Sequence, residues 1–346
     1  MHPYYCAVGT MRKAVAAGAI AAGAVLAERK LIAAPHYRGP ASDHFDGQRF
    51  HNSDPAWQSE RSFLKWMANR QQGHWPEWVD APYGPPPPRG VGDGDLRVTF
   101  INHSTTLVQL DGRNFLTDPV WSERVSPVGF IGPRRHRAPG IRFADMPPID
   151  FVLVSHNHYD HCDIPTLQRL RCPIVTPLGN GALMRRYGIA RVTELDWWQS
   201  EGPFVCVPAN HFSARGLSDR NRNLWSGFVI RSKSGNVYFA GDSGWGDHFG
   251  EIAARLAPIR LALLPIGAYL PRWFMHPAHI DPAEAVEAHH VLGARTSMAI
   301  HFGTFALGDD GADEPARDLR RALAANGDPP FLILEHGEGR ALGSGL

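Results

Sequence analysis

Cysteine is scarce in this chain: Cys6, Cys162, Cys172 and Cys206 are the four among 346 residues, and none forms a CxxC pair. That spacing excludes a disulfide framework and a thiolate-built zinc knuckle. A surplus of one charge is also missing, because 35 Lys and Arg meet 34 Asp and Glu for a formal net charge of +1. General polyanion binders draw affinity from excess cations that neutralise phosphates, so nucleic acid is not an expected partner. Long apolar runs are missing as well. The uncharged stretch Ala14 to Ala27 has 14 residues, short of the about 20 that a helix needs to cross a hydrocarbon core. It sits behind Arg12-Lys13 and fits the apolar part of a secretory signal, with Val25-Leu26-Ala27 as a cleavage site. An Ala-rich peripheral helix, or a start at Met11, reads equally well.

What is present is a globular composition, 43% hydrophobic and 20% charged, unlike the low-hydropathy signature of disorder. Gly 35 and Pro 29 imply many loops, and 18 histidines point to imidazole and carboxylate as the ligands of any metal. Three regions are expected: a segment over 1–40 that is a signal or an anchor, a Pro- and Trp-rich arm over 41–94, and a catalytic body over 95–346. The arm carries one helical stretch, Gln58 to Gln71, in which Phe63, Trp66, Met67 and Arg70 recur at three and four residues. Pro85 to Pro88 then reads as an extended linker.

In the body, short apolar runs bounded by turn residues predict strands at 97–101, 105–110, 114–117, 151–154, 174–176, 204–208, 225–230, 237–240, 261–264, 297–300 and 331–334. Asp111-Gly112 reads as a tight hairpin turn. Helices are expected at 164–171, 181–187, 282–292 and 316–325. A meander of strands followed by strands alternating with helices suggests sheets sandwiched between helices.

The strongest chemical signal is Ser155-His156-Asn157-His158-Tyr159-Asp160-His161, directly after an apolar strand. Residues i and i+2 of an extended backbone share a face. His156 and His158 can therefore converge on one metal, while the following turn swings Asp160 and His161 toward a second. Further candidates, His211, Asp242 and His301, each stand just beyond the carboxyl end of a predicted strand, where loops on a rigid scaffold gather functional residues. Asp163 reads as an acceptor that orients a ligand. Arg215, Arg220 and Arg222 are candidates for phosphate pairing or for a structural network anchoring their loop. His103 either reaches the mouth of the site or ends a strand in an ordinary turn.

These motifs resemble the metallo-β-lactamase-fold hydrolases, whose mark is His-x-His-x-Asp-His with a later His, Asp and His. The segments Ser155 to Asp163, Pro208 to Trp225, Gly241 to Gly244, Ile266 to Met275 and Ala299 to Leu307, with His44-Phe45-Asp46-Gly47 as lead-in, resemble the branch of N-acylphosphatidylethanolamine-hydrolysing phospholipase D. The resemblance implies an α/β, αββα four-layer sandwich holding two divalent metal ions, with zinc as the expected ion and Mn²⁺ or Fe left open by ligand type. It assigns His156, His158 and His211 to one metal, Asp160, His161 and His301 to the other, and Asp242 to both. Catalytic roles fall on Asp160, Asp242 and His279, the last as proton donor to the leaving group.

The expected reaction is hydrolysis of a phosphodiester by water activated between the metals, giving an N-acylethanolamine and phosphatidic acid. Alternatives within the fold are a soluble lactonase or a small-molecule phosphodiesterase. A non-catalytic lipid sensor is a different class, against which the complete ligand set argues. The expected partner is a phospholipid, with peripheral membrane contact through Trp57, Phe63, Trp66, Trp75, Trp78, Tyr269, Trp273, Phe274 and Met275, or with those aromatics packing the arm onto the body. A homodimer is compatible with either arrangement. Localisation is expected at a membrane, on its cytoplasmic face or in the cell envelope.

Overall fold

The computed structural model describes residues 32–53 and 62–343. The apolar run at 14–27, Cys6, Trp57 and the opening of the helix expected from Gln58 lie outside the described residues. Two seven-stranded sheets form the frame. The first contains β1 (Leu96–Asn102), β2 (Thr105–Leu110), β3 (Arg113–Thr117), β4 (Phe151–Leu153), β5 (Ile174–Pro177) and β6 (Val192–Leu195). The second contains β7 (Ser200–Glu201), β8 (Phe204–Val207), β9 (Gly227–Ile230), β10 (Asn236–Phe239), β11 (Ile259–Pro265), β12 (Thr296–Ile300) and β13 (Phe331–Leu332). The last strand, β14 (Gly339–Leu342), returns to pair antiparallel with β1.

Each sheet changes character midway. In the first, β14-β1-β2-β3 are antiparallel and β3-β4-β5-β6 parallel; in the second, β7-β8-β9-β10 are antiparallel and β10-β11-β12-β13 parallel. Consequently β1, β3 and β4 deliver their carboxyl ends to one side of the first sheet, and β8, β10, β11 and β12 do the same for the second.

Side chains alternate between two layers with the period of two that a pleated strand imposes. Val98, Phe100, Val108, Phe115, Leu153, Phe228, Phe239, Leu263 and Met298 point between the sheets into a shared core. Leu107, Leu116, Val152 and Ile174 face the other way, onto α2 (Ile164–Arg169) and α3 (Asn180–Arg186). Val229, Tyr238, Ala262, Leu264 and Ala299 face α4 (His248–Leu256), α6 (Pro282–Val291) and α7 (Glu314–Ala325). The layers are therefore helix, sheet, sheet, helix, an αββα sandwich. Both residues of the Asp111-Gly112 turn have positive φ, 50° and 74°, the type I′ geometry whose twist suits a two-residue hairpin.

The arm contributes α1 (Phe63–Ala68), and α5 (Arg272–Met275) faces it from the body. Helix α1 ends short of the expected Gln71 because Asn69 caps the backbone at Lys65 and Trp66. Arg70 and Gln71 then turn to bind the Asp309 carboxylate. The strand expected from Trp225 begins only at Gly227, since the Trp225 indole N–H is given to Asn52 Oδ1 and the Ala209 carbonyl. Strands β6, β7 and β14 and helices α4 and α5 arise where the sequence raised no expectation. For α4 the signal was present, with Phe249, Ile252 and Leu256 buried on one face. Among the described residues no helix is long and apolar enough to cross a membrane.

Candidate metal centre

The loop after β4 starts as an extended continuation of the strand, so His156 and His158 leave it on one side. His158 Nδ1 stands 2.8 Å from His156 Nε2 and 3.2 Å from His211 Nε2. His211 arrives from the end of β8, and its Nδ1 donates to the Ala278 carbonyl at 3.0 Å, which turns Nε2 inward. Beside this trio, His161 Nε2 lies 3.2 Å and His301 Nε2 3.5 Å from Asp160 Oδ2. Asp242 stands between the two groups. Its Oδ2 is 3.2 Å from His161 Nε2 and from His301 Nε2, 3.8 Å from His211 Nε2 and 4.0 Å from His156 Nε2.

All seven residues expected as ligands thus meet at one rim. With metal bonds of about 2.0–2.1 Å, tetrahedral ligand atoms stand about 3.4 Å apart, close to the separations within each group. His161 Nε2, His301 Nε2 and Asp242 Oδ1 are buried without a hydrogen-bond partner. Such atoms are costly to bury unpaired, and a cation would satisfy them. The donor set of imidazole and carboxylate fits divalent metal ions.

Several of these positions depend on unusual backbone. Asp242 follows Gly241, whose φ is +63° and whose missing side chain leaves room for Ser155; a Cβ there would come within 2.6 Å of Ser155 Cβ. His103, Asp118 and His301 hold φ values of 47°, 32° and 62°. Non-glycine residues pay about 1–3 kcal/mol for such conformations, which persist where the surroundings enforce them. The enforcing bonds include His301 N–H to the His103 carbonyl at 2.7 Å and His103 N–H to Thr304 Oγ1 at 2.9 Å.

The carboxylate that orients the ligands is Asp118, which the sequence reading overlooked. Its Oδ2 accepts from His161 Nδ1 at 2.6 Å and from the Ser155 hydroxyl at 2.6 Å, and Ser155 Oγ in turn lies 2.8 Å from His156 Nδ1. Both histidines are thereby held with Nε2 toward the centre. Asp163, expected in that role, instead accepts from the backbone N–H groups of Trp121 and Ser122 and from the hydroxyls of Ser122 and Thr166. It ties the loop after β3 to α2 and touches no ligand. Its neighbourhood to the motif in sequence was misleading, whereas the position of Asp118 at the end of β3 carried the better signal. His103 also belongs to the centre, with Nε2 2.9 Å from Asp160 Oδ2.

Charge is divided across the centre. Burial, reinforced by neighbouring imidazoles, holds His156 well below the ordinary histidine range. Burial likewise holds His211 well below it and brings His158 down to about 4. These three present neutral lone pairs at pH 7. Burial opposes ionisation of Asp160 and Asp242, but the facing imidazoles together, His161 foremost and His301 with it, outweigh burial and keep both carboxyls well below their usual range.

His279 stands over the centre from the loop between α5 and α6. Its Nδ1 lies 3.9 Å from Asp242 Oδ2, and its ring is 5.1 Å from that of His211. Arg272 fixes the loop by donating to the His279 carbonyl at 2.9 Å and to Glu284 Oε2 at 2.7 Å. Glu284 and Asp281 complete a capping box at the start of α6, worth about 1 kcal/mol to that helix end. Burial lowers His279 to about 3, so it is neutral at pH 7 and offers one N–H and one lone pair.

The centre forms the floor of a cavity of about 590 Å³ whose walls include Phe63, Trp66, Phe274, Met275 and Leu307, with Arg220 at its mouth. The arm supplies part of that wall: Trp66 stacks on Phe274 at 4.9 Å and donates to Asp309 Oδ1 at 3.1 Å. Trp66 is 7% exposed, whereas Phe63 and Trp273 remain 57% and 48% exposed.

Residues 113–302 match the family model described as a Beta-lactamase superfamily domain, more than half of the chain. The chain belongs to the β-lactamase superfamily. Within that superfamily it is 40% identical over 270 residues to N-acyl-phosphatidylethanolamine-hydrolyzing phospholipase D 1 of Caenorhabditis elegans, covering 71% of this chain and 76% of the relative. It is 33% identical over 236 residues to the mitochondrial N-acyl-phosphatidylethanolamine-hydrolyzing phospholipase D of Saccharomyces cerevisiae, covering 64% of this chain and half of that protein. Its place in the superfamily is thus the phospholipase D branch. The isothiocyanate hydrolase from Delia radicum gut bacteria shares the fold, with a TM-score of 0.60 at 22% identity over 71% of this chain and 99% of that one. As a metallo-β-lactamase-fold protein of this branch, the chain is a metal-dependent hydrolase.

Proposed function

We propose that this hydrolase cleaves the phosphodiester of an N-acylated phosphatidylethanolamine, releasing an N-acylethanolamine and phosphatidic acid. The observation that carries the reading is the cavity itself: a floor of His158, Asp160, Asp242 and His301 beneath apolar walls. A small polar ester would leave those walls wet, whereas a lipid buries about 0.8 kcal/mol per methylene against them. The names of the worm and yeast relatives support the same substrate class.

His156, His158 and His211 would hold one divalent ion, Asp160, His161 and His301 the other, and Asp242 both, with zinc the ion that best suits this nitrogen-rich set. Two such ions lower the pKa of water and offset charge that builds on phosphorus. The protein's own groups handle the proton. Water oxygen attacks phosphorus, and the bond from phosphorus to the ethanolamine oxygen breaks. Neutral His279 takes up a proton of the attacking water and returns it to the departing oxygen, as a general base and acid positioned over the centre does. The capping box and Arg272 hold it in place for both transfers.

Peripheral membrane contact and a membrane location belong to this reading. Phe63, Leu64 and Met67 on α1 and Trp273 on α5 are all exposed, and Lys65 Nζ lies 5.3 Å from the Trp273 ring. Phe63 also lines the cavity. Apolar and aromatic side chains with a flanking cation suit a headgroup layer. The deciding experiment is metal analysis of purified protein with product identification after incubation with N-palmitoyl phosphatidylethanolamine. Two equivalents of metal with phosphatidic acid as product are expected. Turnover of a lactone or a short soluble diester, with none of the lipid, rejects the reading.

A further inference from the structure

The loop after β8 carries three arginines, and the structure separates their roles. Arg215 donates to the carbonyls of Asn157 and Cys162 at 3.0 and 2.8 Å and packs over the Tyr159 ring. Arg222 donates to the Gln48 carbonyl at 2.9 Å. Both are committed to holding the loop. Arg220 is not: its guanidinium lies over the Phe212 ring at 4.3 Å and lines the mouth of the cavity above the metal centre. Among the described residues no carboxylate pairs with it. Its charged neighbour is another cation, Arg49, which donates to the Arg220 carbonyl at 2.8 Å.

A guanidinium that rests on an aromatic face keeps its planar fork open to a second partner. Here that fork borders a cavity whose other wall residues are mostly apolar and whose floor is cationic once metals are bound. The positive charge of Arg49 nearby, unbalanced by a carboxylate on Arg220, also favours an anion at the Arg220 guanidinium. We infer that Arg220 is a specificity-determining residue that reaches a phosphoryl oxygen of the lipid seated over the metal centre, selecting phosphorylated lipids over neutral amphiphiles of the same chain length. The inference rests on the phosphodiesterase reading for its substrate. Its binding arm is independent of turnover.

The test compares metal-loaded wild type with Arg220→Met and Arg220→Lys by calorimetric titration of three probes: dihexanoyl phosphatidic acid, inorganic phosphate and a short-chain N-acylethanolamine. Arg220→Met should bind phosphatidic acid about tenfold more weakly, about 1.4 kcal/mol, and inorganic phosphate more weakly too. Its affinity for the neutral N-acylethanolamine and its metal content should stay within twofold of wild type. Arg220→Lys should recover part of the loss, since it restores charge without the fork. In turnover, KM for the diester should rise while kcat changes less than threefold. Unchanged phosphatidic acid affinity, or an equal loss for the neutral probe, overturns the inference. A loss for inorganic phosphate alone assigns the site to free phosphate and overturns the lipid role. If wild type binds phosphatidic acid through Arg220 yet hydrolyses no diester, the reaction proposed above fails and this inference stands.

Discussion

His161 Nδ1 lies 2.6 Å from the Asp118 carboxylate, and both side chains are wholly buried. The pair fixes which ring nitrogen of His161 faces the centre, and the same carboxylate reaches His156 through Ser155. Exchanging Asp118 for Asn leaves the shape while weakening both orienting bonds. Partners of this kind are worth 10- to 100-fold in metal affinity. Asp118→Asn should lose about that much in competition with a chromophoric zinc chelator, and an affinity within twofold of wild type would show that Asp118 does not set the ligands.

Stoichiometry separates the shared carboxylate from ligands on one side. His211→Ala should reduce bound metal from two equivalents to one, because its nitrogen approaches the His156 and His158 group. Asp242→Ala should lower retention of both, since its Oδ2 lies within 4.0 Å of nitrogens from each group. Elemental analysis after gel filtration reads the difference. Equal metal content in the two variants would contradict a bridging place for Asp242.

Asp310 predicts a pH dependence of stability. Burial, opposed by the N–H groups of Ala268 and Leu270, raises this carboxyl from 3.8 to about 6. Between those values the folded chain binds more protons than the unfolded one, so stability falls as pH rises through the window and stays reduced above it. Asp310→Asn keeps an acceptor for Ala268 without the charge. Thermal melts should show the variant gaining on wild type as pH goes from 4 to 7, by up to about 3 kcal/mol. A constant difference across that range would refute it.

The exposed aromatic edge yields a partitioning prediction. Phe63→Ser with Trp273→Ser should reduce sedimentation with phosphatidylethanolamine-containing liposomes at least threefold, while metal content is retained. Equal partitioning would leave the edge with no membrane role.

Much of the fold was legible because its strands are short, apolar and punctuated by turn residues, and all eleven expected strands differ from the observed ones by two residues or fewer at either end. Strand β14 was not, because Gly339-Arg340-Ala341-Leu342 has no pattern of its own and becomes a strand only by pairing with β1, far away in sequence. The centre was legible at His156, His158, Asp160 and His161 because a strand and its turn impose spacing locally. Asp118 and His103 were harder to find, since their roles depend on which strand ends become neighbours. Asp163 drew notice by adjacency alone. The arm aromatics divided: Trp66 packs inward while Phe63 is largely exposed, a distinction set by the Asp309 anchor rather than by residue type.

The two histidine groups each draw from both halves of the sandwich: His156, His158, Asp160 and His161 from the first sheet, His211, Asp242 and His301 from the second. Any ion seated there is a rivet between the sheets as well as a reagent. Sliding one sheet past the other would pull the coordination apart, so cohesion of the molecule and its chemistry answer to the same few bonds. Chelation should therefore loosen the sandwich itself, beginning at this rim.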